Sequence, residues 1–301
     1  MSYLIFSLSL LLVYVALTQL LHVQFGMLGI PNFGIVGFWG LGMYGVGVFN
    51  VQYSVPFLLS LILTGVLITL VAFVLGRLTL RLNGQDMVCA TLAFSAITSL
   101  LVISEKWLTN GVVGLGTIKY PFDFGKATEF SYMMLLVLVV AGFQYVIQQL
   151  HRSDLGRLMF AIRDNEELAS SLGKNAYGTK LQLFVVTSVL MGLLGGLSAP
   201  LNQFLTPNML VPGVTFTVWI ALILGGKENR LGAMLGVVVT FGLFDILIET
   251  YLPVPAEHAM LVPNFKLFLY GAVLIGVLLY RPQGMLAQGA SGSDARRVRP
   301  L

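Results

Sequence analysis

Residues 151–180 read HRSDLGRLMFAIRDNEELASSLGKNAYGTK, the one long charged run inside an otherwise apolar chain. Arg152, Arg157, Arg163, Lys174 and Lys180 alternate there with Asp154, Asp164, Glu166 and Glu167. Each such group at the centre of a bilayer costs about 2.5–3.5 kcal/mol on insertion scales, so the run interrupts membrane spans and lies in water. Leu158, Met159, Phe160 and Ile162 give its first part an apolar patch. Asp164 with Glu167 three residues on predicts a capping-box start to a second short helix, and Gly173 ends that helix as a residue tolerant of positive φ. The segment reads as two short helices forming a docking surface, with a solvated loop lacking any partner as the alternative.

The rest of the chain sets the frame. Of 301 residues 57% are hydrophobic and 10% charged, with a mean hydropathy of +0.88, outside the range of ordinary soluble domains. The expected fold class is all-α: a polytopic membrane protein with about 8–9 transmembrane helices, one of them a broken or Gly-rich central helix. A single cysteine, Cys89, allows neither a disulfide framework nor a thiolate metal site and reads as small core filler. The first 21 residues have no basic leader region and no obvious small-residue cleavage site, so they read as a retained helix.

Spans of about 20 apolar residues are predicted at 3–21, 25–49, 55–75, 87–103, 130–149, 181–200, 214–224, 231–251 and 265–280. The seventh is short, either crossing or re-entrant. A transmembrane body of 1–286 and a small, polar, basic, disordered tail of 287–301 complete the division. With 151–180 on the cytoplasmic side, alternation places thirteen of the 17 Lys and Arg there, leaving Lys106, Lys119, Lys126 and Lys266 opposite. This asymmetry orients the N-terminus outside and the C-terminus inside, and explains the net charge of +4 better than nucleic-acid binding does.

The second span carries Gly26, Gly29, Gly34, Gly37, Gly40, Gly42, Gly45 and Gly47 with Pro31. Proline removes a backbone hydrogen bond and glycines admit close neighbours, so a broken helix is expected near Pro31 and Asn32, facing the protein interior. Broken Gly/Pro segments point to a translocation pathway, although tight packing accounts for any single glycine. Pro31, Asn32, Gly34, Thr91 and Asp245 are the pathway candidates. Asp245 lies four residues from Glu249 on one helix face, a pathway group or a packing pair. Similar glycine texture returns at Gly192, Gly195, Gly196 and Pro200, and at Gly225, Gly226, Gly232 and Gly236. Asp86 reads as a helix cap, and His22, His151 and His258 as separate interfacial residues.

No HExxH, CxxC, GxxxxGK[ST] or GxSxG motif occurs, so neither metal hydrolysis, ATP hydrolysis nor an α/β-hydrolase nucleophile is available to this chain. It reads as a non-enzyme, with no catalytic residue, no metal and no bound cofactor.

The run Gly156-Arg157, Ala161-Ile162-Arg163-Asp164-Asn165-Glu166, Ala169 and Leu172-Gly173 resembles the cytoplasmic coupling loop of branched-chain amino acid ABC importer permeases, in particular the M-type subunit. Arg81-Leu82-x-Gly84 followed by Ala90-Thr91-Leu92-Ala93-Phe94, Leu224-Gly225-Gly226 with Gly232 and Gly236, and Arg281-Pro282-Gln283-Gly284 resemble further stretches of that family, in the same order. The resemblance implies a prokaryotic inner-membrane permease paired with a second, related permease. It further implies two cytosolic ATPases that hold ATP-Mg and an extracytoplasmic solute-binding protein. It implies ATPase coupling through Gly156, Arg157, Leu158, Ala161, Ile162, Arg163, Asn165, Glu166, Leu172 and Gly173, with Leu158 and Ile162 as the apolar anchor.

The chain departs from the family at Asn32-Phe33-Gly34-Ile35, where a Ser-x-Gly-His-like run is usual, and at Lys227-Glu228-Asn229-Arg230, where a Gly/Ser-rich turn is usual. The resemblance implies branched-chain or other amino acids as the cargo, and these departures leave urea or short amides as the alternative. An ion-coupled carrier acting alone is a further alternative, resting on Asp245.

Overall fold

The computed structural model describes residues 2–116, 118, 120–122, 125–227 and 229–246, together with six single positions between 268 and 285. Among the described residues the chain is helical, with no strand beyond one antiparallel bridge between Leu115 and Leu205. Helix α1 (Ser2–Leu21) runs on into a π-helical segment, His22–Met27. After a non-helical stretch come α2 (Ile35–Val51), α3 (Phe57–Thr79), α4 (Gly84–Ser104) and the one-turn α5 (Lys106–Thr109). Next are α6 (Thr128–Arg152), the two arm helices α7 (Asp154–Asp164) and α8 (Glu166–Ser171), and then α9 (Ala176–Asn202). The described part ends with α10 (Pro212–Gly225) and α11 (Arg230–Val237), which continues as a π segment, Val238–Ile246.

Among the described residues, six helical runs are long and apolar enough to cross a bilayer: Tyr3–Met27, Phe57–Thr79, Gly84–Ser104, Thr128–Arg152, Ala176–Asn202 and Pro207–Gly225. Ile35–Val51 and Leu231–Gly242 are shorter apolar helices. The chain is a multi-pass membrane protein. The seventh expected span gains its length from a 3₁₀ turn, Pro207–Met209, ahead of α10. The ninth, at 265–280, is described only at scattered positions, and the end of the eighth and the tail at 287–301 lie outside the described residues.

Contacts along α9 give the directions of its neighbours. The first turns of α1 share a cavity with Leu201 and Gln203, at the end of α9, whereas Gln24 bonds Thr187 in its middle, so α1 runs antiparallel to α9. Phe38 meets Phe184 and Gly42 meets Gly192, so α2 runs parallel to α9. The break expected inside the second span is therefore the turn between two antiparallel helices. Phe25, Gly26 and Met27 finish the first helix, and α2 starts afresh at Ile35. The face of the bundle that carries α7 and α8 is called the arm face below, and the opposite one the far face.

Half of α1 and α9 is covered by protein, 56% and 50% of their apolar windows, against 28% for α3, 28% for α4 and 22% for α6. Thus α1, α2, α9 and α10 form the inside, and α3, α4 and α6 present leucine, valine and phenylalanine outward. Helix α4 shows the pattern inverted from a soluble helix: Met87, Thr91, Ser95, Thr98 and Val102 are its buried stripe, so three hydroxyls face inward. Cys89, read from the sequence as core filler, is exposed on the outer side of that helix. Asp86 does not cap α4; the helix begins after Asn83, which leaves Asp86 in its first turn, where a negative charge suits the helix dipole.

Close backbone approach explains two glycine groups. A methyl group at Gly42 would stand 1.7 Å from the Gly192 carbonyl oxygen, and one at Gly195 would stand 1.9 Å from that of Trp39, so α2 and α9 touch backbone to backbone. Gly225, Gly232 and Gly236 do the same for α10 and α11: their added carbons would lie 1.8, 2.2 and 1.9 Å from carbonyl oxygens of the facing helix. On the far face, the Leu115 amide donates to the Leu205 carbonyl (3.0 Å), the Leu205 amide donates back (2.7 Å), and the Ile118 amide reaches Gln203 (3.1 Å). This strap ties the loop ahead of α6 to the end of α9. Inside, Tyr132 is fully buried and its hydroxyl donates to Leu197 at 2.6 Å.

Gly42→Val forces side-chain carbon into the Gly192 backbone and is expected to destabilise the bundle by about 3 kcal/mol or more. Gly142→Ala, with nothing near its added carbon, is expected to change little. Thermal unfolding of both variants in detergent, followed by size-exclusion recovery, checks the pair; equal stability would tell against the α2–α9 seam.

Candidate functional site

The turn between α1 and α2 is non-helical backbone lying inside the bundle, and such backbone persists out of reach of water only if its polar groups are answered. The chain reverses at Gly29, whose φ of +76° is open to glycine, and at Pro31. The Gly29 amide donates to Phe25 (3.1 Å), four residues back, and the Ile30 amide to Gln24 (2.8 Å), six back, so the carbonyls at the end of the first helix bond into the turn.

Side chains from several elements answer the start of α2. The Phe33 amide donates to the Thr91 hydroxyl at 3.0 Å, that of Gly34 to the Asn32 side-chain oxygen at 2.7 Å, that of Val36 to Thr215 at 3.3 Å and that of Gly37 to Ser95 at 3.2 Å. The Asn32 amide nitrogen donates to the Gln24 side-chain oxygen (2.9 Å), and Gln24 donates in turn to Thr187 (2.6 Å). The Trp219 indole nitrogen donates to the Asn32 carbonyl at 3.0 Å, and its ring stacks on Phe33 with centroids 4.5 Å apart. Asn32, Gln24, Thr91, Ser188 and Thr215 are all buried. The result is a satisfied, uncharged polar cluster joining α1, α2, α4, α9 and α10, where a net hydrogen bond is worth about 1 kcal/mol and an orphaned partner costs about 1–3 kcal/mol.

Of the pathway candidates, Asn32, Gly34 and Thr91 meet in this cluster, and Pro31 shapes the turn beside it. Asp245 falls in the π segment Val238–Ile246, and its side chain and Glu249 lie outside the described residues. Gln24, Ser95, Thr187, Ser188, Thr215 and Trp219 were not singled out from the sequence. The hydroxyls of α4 at helical spacing were a legible signal. Gln24 with Thr187 was not, since 163 residues separate them.

The charged segment folds as two helices, each started by a side-chain cap. Ser153 accepts from the Gly156 amide at 3.1 Å and Asn165 from that of Leu168 at 2.9 Å. The expected capping box on Asp164 is displaced by one residue: Asp164 closes α7 and Asn165 caps α8, because either side chain offers the same acceptor oxygen. Gly173 does end α8, at φ +79°. Gly156 is buried where an added methyl would lie 2.0 Å from the Leu150 carbonyl oxygen, which lets α7 fold back on α6.

The faces of these helices differ from the expected anchor. Ile162 is 2% exposed, packed in the chain's own core with Met159, and Leu158 is only partly exposed. The apolar side chains that face outward are Leu155, Leu168 and Leu172, at 42%, 58% and 73% exposure. Ala161 is exposed, Arg157 is exposed and paired with Asp154, and Glu166 pairs with Lys180 at 2.5 Å. Arg163 turns inward. Its Nη1 donates to the Gly26 carbonyl at 2.5 Å and its Nε to Asp164 at 3.2 Å.

Two of the three histidines, read as separate, come together: His22 Nε2 lies 3.2 Å from His151 Nε2, and His22 Nδ1 lies 2.9 Å from the Lys227 carbonyl. His258 lies outside the described residues. No group of three or more metal-ligating side chains occurs among the described residues.

Residues 1–278 match the family model for the permease component of branched-chain amino acid transport systems. Over 301 aligned residues the chain is 26% identical to the high-affinity branched-chain amino acid transport system permease protein LivM of Salmonella typhimurium, covering 91% of this chain and 68% of that protein. Its counterpart in Escherichia coli is 26% identical over 92% of this chain and 68% of its own length. A probable LivM of Methanocaldococcus jannaschii is 23% identical over 76% of this chain and 68% of its own length. These relatives are permease components of transport systems and not enzymes. The multi-pass bundle, its discontinuous polar turn and a match from the first residue to 278 lead to one assignment: the chain belongs to the family of branched-chain amino acid transport system permease components.

Proposed function

We propose that this chain is the membrane-spanning M-type subunit of an ATP-driven importer in a prokaryotic inner membrane, and that its cargo is branched-chain or other small amino acids. It pairs with a second, related permease, receives solute from an extracytoplasmic binding protein, and binds no cofactor. ATP-Mg sits on two cytosolic ATPases. The observation that carries this reading is the placement of an exposed, charged two-helix arm directly on the turn that bears the buried polar cluster. The arm face is cytoplasmic, which is where Arg81, set 5.6 Å from the Tyr177 ring, and Lys227 also lie. The N-terminus is then outside and the C-terminus inside.

Leu155, Leu168 and Leu172 enter a groove of one ATPase, with Arg157, Ala161 and Glu166 beside them, and Asn165 and Gly173 hold the two arm helices in shape. Closure of the ATPases on nucleotide moves the arm as a rigid body and, through it, the spans. The uncharged cluster of Asn32, Thr91, Ser95, Thr187 and Thr215 has its hydrogen bonds committed to the turn, with Phe33, Phe216 and Trp219 packed beside it, so it holds the discontinuous segment in shape. The cargo class is carried by the names of the relatives, which are branched-chain amino acid permeases.

Replacing Leu155, Leu168 and Leu172 together by Asp is expected to cut recovery of the ATPases with the tagged permease at least about tenfold, the usual scale for loss of a buried apolar anchor. Undiminished recovery tells against this docking face. In vesicles loaded with the whole importer, excess leucine, isoleucine or valine is expected to compete for labelled leucine uptake and urea is not; competition by urea or short amides instead would replace the cargo. Thr91→Val removes the hydroxyl that answers Phe33 and is expected to lower uptake about tenfold, with Thr91→Ser close to the native rate.

A further inference from the structure

Arg163 stands on the charged arm, where Arg157 and Asp154 are exposed to water, yet its side chain is only 22% exposed and points into the membrane bundle. The reason lies in the backbone of the turn. The Gly26 carbonyl, near the end of the first helix, looks for a donor four or five residues on. The amide of Ile30 is already given to Gln24, and residue 31 is proline, which has none. Arg163 Nη1 supplies the missing donor at 2.5 Å.

The seat is built around it. A side chain at Gly29 would meet the Arg163 stem at 2.9 Å, and the guanidinium carbon lies 5.3 Å from the centre of the Phe160 ring. A second contact stands beside it. The Lys227 carbonyl can only accept, so the hydrogen of a neutral His22 ring sits on Nδ1, and its Nε2 accepts from His151, the penultimate residue of α6. Three arm-face elements therefore meet on one π-helical segment.

We propose that Arg163 is a positioning residue that fastens the arm to the α1–α2 turn, so that displacement of the arm is delivered to Asn32 and the polar cluster through the Gly26 carbonyl. This rests on the importer reading above. Arg163 is then a coupling residue within the permease and not a contact with the ATPase. Only Met27 separates Gly26 from the non-helical turn of Leu28 to Gly34, so a shift at one end is felt at the other without passing through an intervening helix.

The test uses the complete importer in vesicles, with ATP hydrolysis and labelled leucine uptake measured in the same preparation. Arg163→Gln is expected to leave recovery of the ATPases and their hydrolysis in place while uptake per ATP falls about tenfold, the scale of one hydrogen bond from a charged donor. Arg163→Lys, which keeps a cationic donor, is expected to restore most of it. Phe160→Leu, a milder change that removes only the ring beneath the guanidinium, is expected to lower uptake per ATP about two- to threefold and keeps the test open if Arg163→Gln does not fold. Uptake per ATP unchanged in Arg163→Gln or in Phe160→Leu would overturn the proposal. So would loss of the ATPases with Arg163→Gln, which would make the residue a docking contact. A native complex without ATP-driven uptake would overturn the importer reading itself, a result distinct from native uptake with coupling indifferent to Arg163.

Discussion

A peptide group deprived of partners away from water costs several kcal/mol, and this chain places an entire turn in such surroundings. The segment from Leu28 to Gly34 is neither helix nor strand, so it makes few internal hydrogen bonds. Its needs decide what the adjoining helices present: hydroxyls from α4 and α10, an amide from α1, an indole from α10 and a guanidinium from the arm. The inward hydroxyl stripe of α4 exists because Phe33 and Gly37 require acceptors there.

The same constraint orders the arm. A helix pair held only by its two ends would swing freely in water. Here Met159 and Ile162 anchor it from below, Gly156 lets it fold against α6, and Arg163 reaches the turn. The two sides of the arm are thereby divided. One is committed to the permease, and the other, with Leu155, Leu168 and Leu172, is left for what docks from water.

The sequence made the arm legible because charge in hydrocarbon is prohibitive, and no other placement of residues 151–180 was open. It made the irregular turn legible through Pro31 and the glycines. It did not show that the turn joins two helices, since Phe25 to Met27 are as apolar as the residues after Pro31, and only the contacts with Thr187 and Phe184 separate the two directions. The sides of α7 were equally hidden. Leu158 and Ile162 are alike in hydropathy, but the fold-back at Gly156 buries one and leaves the other at the rim. Arg163 looked like its exposed neighbour Arg157 because its partner is a backbone carbonyl, which no side-chain pattern reveals.

The seam between α2 and α9 has one more consequence. Where main chain rests on main chain, no layer of side chains remains that can change rotamer to let one helix slide along the other. These two helices therefore behave as one beam, rooted at Ala176 beside the arm and ending under the Leu115–Leu205 strap. Helix α10 meets the start of α2 and the turn ahead of it through aromatic rings and two hydrogen bonds, from Trp219 and to Thr215, contacts that can be exchanged without steric collision. The yielding boundary of this bundle runs between α10 and the beam, along the line where the polar cluster sits.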